Sequence, residues 1–169
     1  MKVLVAIDED EFVMPIVDAV ARLFGGPGKT VKLLNVIDTS TFLNDLHDQS
    51  GPGKTRKLLE TQLKKAAFML KQTRINLLCE DDSFEVEESV LVGTPHRVIL
   101  DCAEEWNADV IVIGAHSHGD NTRLRVSSVS TAVLKLADRP VTVVSLPKSA
   151  ESKGSTLVQQ QTSLPSFAT

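Results

Sequence analysis

The chain has 169 residues, 42% of them hydrophobic, and a formal net charge of −4, which is typical of one globular domain with a substantial core. The acidic balance and the lack of a basic stripe argue against a nucleic-acid-binding surface. No apolar run approaches the roughly 20 residues that span a bilayer, and the first residues enter an apolar strand without the basic start of a signal peptide, so we expect a cytoplasmic protein with no membrane or nucleic-acid partner.

Five short apolar segments predict β-strands, and several of them lack the alternation of a half-exposed strand. They cover residues 2–7, 30–37, 84–92, 109–113 and 140–146. Near-continuous runs of Val, Ile and Leu indicate strands that are buried on both faces, as in a parallel sheet.

Helical periodicity fills the gaps between these strands. Apolar stripes with the spacing of one helix face occur within residues 12–24, 58–70, 98–106 and 129–136. Pro15 falls in the first turn of its helix, and Gly25 and Gly26 end that helix. Strands that alternate with helices predict βαβ units and therefore an α/β domain with a parallel sheet.

Two segments have no clear periodicity. Residues 38–53 read as a polar connector. The folded domain is predicted to cover residues 1–147, and residues 148–169, rich in Ser, Thr and Gln, are predicted to form a disordered tail. The alternative is that the tail packs on the domain through Leu157, Val158 and Phe167.

The sequence Gly-Pro-Gly-Lys-Thr occurs at 26–30 and again at 51–55, and its ending resembles a phosphate-binding P-loop. A P-loop needs another glycine five residues before the second one, and Leu23 and Asp48 occupy those positions. Both copies are therefore predicted to be turns or helix boundaries.

The histidines and cysteines do not form a metal-binding pattern. His116 and His118 point the same way on an extended segment, but zinc takes three or four ligands. Cys79 and Cys102 fit neither a metal spacing nor a disulfide framework, and Cys102 is predicted to be a buried apolar residue. The sequence also contains no Ser-His-Asp arrangement, nucleophile elbow or paired carboxylates. We therefore predict no metal site and no catalytic residue.

An anion site is predicted where an apolar strand at 110–113 leads through a polar loop of small residues to Ser127 and Ser128. A helix start gathers unpaired N–H groups and the positive end of the helix dipole. Asp8 ends the first strand, where a carboxylate can accept bonds from ribose hydroxyls or help to hold Mg²⁺. Position alone is equally consistent with a simpler role, in which Asp8 only stabilises the positive N-terminus of the next helix. The two serines can likewise be ordinary N-caps.

This segment closely resembles the signature of the universal stress protein family, whose nucleotide-binding members carry Gly-x2-Gly-x9-Gly-Ser. Here Gly114 keeps the first glycine, Ser117 and Ser127 replace the other two, and Ser128 keeps the closing serine. The resemblance covers residues 1–146 and also rests on Asp8, the 36–38 segment Val-Ile-Asp, Gly93-x-Pro95 and the 140–144 segment Pro-Val-Thr-Val-Val. It implies an open five-stranded parallel sheet in the order 3-2-1-4-5 with helices on both faces, similar to the adenine nucleotide alpha hydrolase fold.

The resemblance also implies an adenine-nucleotide site, in which Val36 would offer backbone groups to the base. Serine in place of glycine adds a Cβ where a backbone with positive φ favours glycine, and it fills space that a phosphate would use. We therefore expect weak binding of ATP, with Mg²⁺, or of another adenine nucleotide. The implied site residues are Asp8, Val36, Gly114, Ser117, His118, Gly119, Ser127 and Ser128.

These features together predict a non-enzymatic stress-response or regulatory protein with a weakened adenine-nucleotide pocket. Two alternatives stay open: a working ATP or AMP sensor, or slow ATPase, and a dimeric adaptor without a ligand that recruits another protein. The last strand, 141–146, would be an apolar sheet edge, and such edges tend to pair. Family members commonly pair these strands across a two-fold axis, so the resemblance implies a homodimer.

Overall fold

A computed structural model describes residues 1–40, 51–115, 127–145 and 158–161, with the backbone alone at 51–54 and 158–161. Its strands are β1 Lys2–Ala6, β2 Thr30–Asp38, β3 Glu85–Gly93, β4 Val110–Ala115, β5 Val141–Ser145 and β6 Val158–Gln161. They form one sheet in the order β3-β2-β1-β4-β5-β6. The first five are mutually parallel, which confirms the predicted order 3-2-1-4-5.

Within the described residues, four α-helices pack on this sheet: α1 Val13–Phe24, α2 Gly51–Glu80, α3 Pro95–Glu105 and α4 Ser128–Leu136. A short 3-10 helix at Asp10–Phe12 leads into α1. On β1, the fully buried Val3 and Val5 point into the core beneath α1 and α2, and Leu4 points into the core beneath α3 and α4. The sheet thus has helices on both faces, as its unalternating strands predict. Within the described ranges, no helix, not even the 30-residue α2, is apolar enough to cross a membrane.

The ends of α1 and α2 follow from proline and glycine. Pro15 is the third residue of α1, where its missing N–H leaves no gap in the hydrogen bonding, and Gly25 follows the last residue. The expected connector at 38–53 is shorter than predicted, because Asp38 completes β2 and α2 begins at Gly51. Pro52 occupies the second position of α2, where proline is well tolerated. Residues 41–50 lie outside the described part.

The two Gly-Pro-Gly-Lys-Thr segments are a turn and a helix start, which confirms their prediction. In the first copy Gly26 and Gly28 have φ of 106° and 73°, values that favour glycine. The carboxylate of Asp81 accepts the Gly26 N–H at 2.7 Å. Hydrogen bonds from the Ser83 hydroxyl and from the Gly26 N–H lower the pKa of Asp81. The second copy opens α2.

At residues 158–161 the structure differs from the disorder predicted over residues 148–169. Val158–Gln161 form β6, which pairs antiparallel with β5. The physical reason is that sheet pairing is made by backbone groups, so a segment without a hydrophobic period can still fill an open edge. The edge on which a homodimer was expected is thus occupied by the chain's own residues. The other tail residues, including Leu157 and Phe167, lie outside the described part.

Candidate functional site

The sheet reverses its strand order at β1, because β2 lies on one side of it and β4 on the other. Ala6 pairs with Leu34 on β2 and with Ile113 on β4. The chain passes from β1 to β2 on one side of β1, and it later places β4 on the other side. The helices that follow β1 and β4 pack on opposite faces of the sheet, so a crevice opens beyond the carboxyl ends of these two strands. Open α/β sheets bind their ligands at such a switch point.

Backbone and side-chain bonds from β2 hold Asp8 at this point. The Ile7 N–H donates to the Leu34 carbonyl at 2.9 Å, which extends the pairing past the end of β1. The buried Asn35 amide donates to the Ile7 carbonyl at 2.7 Å. Asp8, the next residue, is exposed. Because this backbone is already ordered, a ligand that binds the Asp8 carboxylate does not have to order it and avoids that entropy cost.

A cavity opens beside Asp8, and we call it the switch-point cavity. One wall is apolar and is formed by Ala6, Leu34, Ile99 and Ile113. The strand ends contribute Asp8, Val36 and Gly114, and the start of α4 contributes Ser127, Val129 and Ser130. An apolar wall with a few convergent polar groups is the usual make-up of a small-molecule site.

The structure brings four of the predicted site residues together around this cavity: Asp8, Val36, Gly114 and Ser127. Asp8 lies just beyond β1 and Gly114 is the second-last residue of the neighbouring parallel strand β4, so both stand at the same end of the sheet, as expected for one crevice. Ser128 is the exposed first residue of α4 and is not among the lining residues. Ser117, His118 and Gly119 lie outside the described residues, as do His116 and the rest of the loop to 126. What each residue binds stays a prediction.

Ser127 is the N-cap of α4. Its Oγ accepts the Ser130 N–H at 3.1 Å, and the Ser130 hydroxyl in turn donates to the Gly114 carbonyl at 2.9 Å. The start of α4 is therefore tied to the end of β4 through two serines. Ser127 has φ −58°, so the expectation that a side chain there strains a positive-φ backbone is wrong. The cap itself requires an extended backbone at this residue, which any L-residue adopts.

Close approach explains the two strand-end glycines. A Cβ on Gly114 would lie 2.6 Å from the ring of Phe12, and one on Gly93 would lie 2.7 Å from Val98. Gly93 is thus explained by the close packing of α3, and its φ is not in the positive range. Gly114 leaves room for the buried ring of Phe12, and both residues line the cavity.

Sequence reasoning missed Phe12, Pro95, Ile99 and Ser130 as cavity residues. Phe12 and Ile99 belong to apolar stripes, and a stripe does not show which of its members end beside a cavity. The spacing Ser127-x-x-Ser130 is a signal that could have been used, because an N-cap hydroxyl bonds the N–H three residues on.

A smaller recess continues from Asp8, Val36 and Asp38 toward α2. There it is lined by Gln62, Lys65 and other α2 side chains. Among the residues with described side chains, no group of three or more His, Cys, Asp or Glu could hold a metal ion.

These features define a class of protein: an open, doubly wound α/β domain with a cavity at its switch point. The chain belongs to the universal stress protein family, whose family model matches residues 1–145.

Relatives include two proteins of Methanocaldococcus jannaschii. Universal stress protein MJ0577 is 34% identical over 74 residues, 44% of this chain and 46% of that protein. Universal stress protein MJ0531 is 28% identical over 118 residues, 70% of this chain and 66% of that protein. The matched regions thus span less than two thirds of either relative.

Solved structures show the same fold. The structure of MJ0577 has a TM-score of 0.72 at 24% identity and covers 88% of this chain and 97% of that one. A universal stress protein from Archaeoglobus fulgidus, in complex with dAMP, has a TM-score of 0.52 at 26% identity and covers 85% and 96%. A family member from Arabidopsis thaliana with AMP bound has a TM-score of 0.60 at 17% identity and covers 87% and 92%.

Proposed function

We propose that this protein is a non-enzymatic regulatory member of its family that binds an adenine nucleotide weakly in the switch-point cavity. The observation that carries the proposal is the arrangement of an apolar wall, the Asp8 carboxylate and the start of α4 around one cavity. An adenine ring fits the wall, ribose hydroxyls suit a carboxylate, and a phosphate suits a helix N-terminus. Structural relatives solved with dAMP and AMP support this ligand class.

The weakness of binding is attributed to Ser127. Its hydroxyl occupies the Ser130 N–H, one of the donors that a phosphate would use at the start of α4. Ser127 also lines the cavity, so its side chain takes space beside the phosphate position of the proposal. A glycine at this position would remove both effects, at the cost of a few tenths of a kcal/mol from the N-cap.

A working ATP or AMP sensor, or slow ATPase, is the second candidate. The observation in its favour is the φ of −58° at Ser127, since a serine there fits the backbone without strain. A Ser127 hydroxyl that turns toward a phosphate would donate a hydrogen bond to it, which a glycine at this position has no side chain to do. This candidate predicts tight wild-type binding.

Calorimetric titration with AMP, ADP and ATP, with and without Mg²⁺, separates the two. We expect weak wild-type binding and a gain of about tenfold, or 1.4 kcal/mol, in the double variant Ser117→Gly/Ser127→Gly. Looser glycine backbones oppose the gain by up to about 1 kcal/mol each. Asp8→Ala in that double variant should reduce affinity about tenfold or more, because a bond to a charged group is lost.

Ser127→Ala is the matched control for Ser127→Gly. If the hydroxyl competes with the phosphate, both single variants bind more tightly; if the Cβ is the obstacle, only the glycine variant does. Tight wild-type binding that neither change improves would contradict the proposed weakening. ATP hydrolysis that Asp8→Ala abolishes would support the slow ATPase instead.

A further inference from the structure

The outer edge of β5 is covered by β6 from the same chain. Four residue pairs run antiparallel, from Val141 with Gln161 to Val144 with Val158. A sheet edge presents a row of backbone N–H and C=O groups that can pair with another chain. β6 therefore takes up the groups that β5 would otherwise offer to a partner.

β5 has the properties of an edge strand that can pair with β5 of a second copy of the chain. Its residues, Val141–Ser145, are all buried within the fold, and none is charged or proline. Natural edges avoid association through Lys, Pro or bulges, and β5 has no Lys or Pro. A two-fold axis perpendicular to the sheet makes two copies of an edge strand antiparallel, so a second β5 would use the backbone row that β6 uses.

We propose that β6 is an intramolecular cover that competes with a second copy of this chain for the β5 edge. The two arrangements exclude each other, because one row of backbone groups pairs with one strand at a time. The tail thus sets the balance between a covered monomer and a dimer joined β5 to β5. The proposal is independent of nucleotide binding.

The energetics allow both states. A tethered segment has an effective concentration in the millimolar range, so at micromolar chain concentration β6 prevails unless the dimer contact is much stronger. β6 is also only four residues long, below the usual five or six, and three of them are glutamine. Such short peripheral strands open at low free energy, so a second copy can displace it as chain concentration rises.

The test uses the full chain and two variants of β6. Gln159→Pro/Gln160→Pro removes two successive backbone N–H groups, which point to opposite sides of the strand, so one of them faces β5 whatever the register. Gln159→Ala/Gln160→Ala is the control, because it changes the same side chains and keeps both N–H groups. Sedimentation velocity across chain concentrations measures the dimer dissociation constant, and hydrogen exchange measures protection of the β5 amides.

We expect the proline variant to dimerise at least tenfold more tightly than wild type, and the alanine variant to match wild type. In the dilute proline variant the β5 amides should exchange faster, and a synthetic peptide of residues 155–164 at millimolar concentration should dissociate its dimer. Unchanged association of the proline variant would overturn the proposal. Weaker association would also overturn it, since β6 would then be exchanged between chains.

Discussion

The ring of Phe12 lies where a side chain on residue 114 would have to go. A Cβ on Gly114 would meet three ring carbons of Phe12 at 2.6–2.9 Å, and that ring is 2% exposed and cannot move into solvent without leaving the core. The glycine at the end of β4 is thus required by packing, whatever role it has toward a ligand.

Gly114→Ala should lower the free energy of unfolding by about 1–3 kcal/mol, because overpacking a core contact has that cost. Phe12→Leu makes room beside residue 114, so the alanine should be less costly in that background. Urea denaturation of the wild type, both single variants and the double variant gives the coupling energy. Strictly additive effects would show that the ring is not what excludes the side chain.

At the scale of elements, Arg139 links the segment before β5 to residues 103–108, which lie 31 to 36 positions earlier in the sequence. Its guanidinium donates to the carbonyls of Ala103 at 2.7 Å and Ala108 at 2.9 Å. These carbonyls lie at the end of α3 and in the turn before β4, and Arg139 lies just before β5. A hydrogen bond to the neighbouring Asp138 carboxylate raises the pKa of Arg139, which favours the charged guanidinium that donates these bonds.

Arg139→Ala should destabilise the protein by about 1.5–3 kcal/mol, the usual loss for hydrogen bonds from a charged group. Arg139→Lys should fall between, because a compact ammonium does not span two carbonyls as a planar guanidinium does. Arg22→Ala is the control: Arg22 makes an exposed ion pair at 3.8 Å to Asp18 and should cost less than about 0.5 kcal/mol. Equal losses for residues 22 and 139 in urea denaturation would contradict the linking role of Arg139.

At the scale of the whole molecule, a ligand at the switch point stabilises both halves of the sheet at once. The cavity takes residues from β1, β2, β4, α3 and α4, so binding opposes unfolding of the entire domain. A ligand at 100 times its dissociation constant adds about 2.7 kcal/mol. For a chain of this size each kcal/mol raises Tm by about 2–4 °C.

AMP at that concentration should therefore raise Tm by about 5–10 °C, as measured by scanning calorimetry. Ribose 5-phosphate is the matched control ligand, since it lacks the base that the apolar wall of Leu34, Ile99 and Ile113 would hold. We expect it to shift Tm by much less at the same concentration. An equal shift from both compounds would place the ligand away from that wall.

The α/β class, all five parallel strands and the four helices could be predicted from the sequence, because burial on both faces leaves continuous apolar runs and amphipathic helices leave a 3.6-residue stripe. The strand order came from the family resemblance, which Asp8, Gly114 and Ser128 carry. The ends of β2 and α2 could not be predicted, because short polar and glycine-rich stretches leave no periodic signal: β2 extends to Asp38 and α2 begins at Gly51, both within the expected connector.

By itself the sequence determined the alternation of strands and helices in this protein, a strand end near Asp8 and a helix start at Ser127 and Ser128, because these follow from local periodicity and capping. Only the tertiary structure decided that Phe12 closes on Gly114, that Leu34 and Asn35 of β2 anchor the backbone before Asp8, and that Val158–Gln161 cover the edge of β5. The physical reason is that these contacts join residues from different elements through backbone pairing or close approach. Neither kind of contact has a side-chain pattern that can be recognised along the chain.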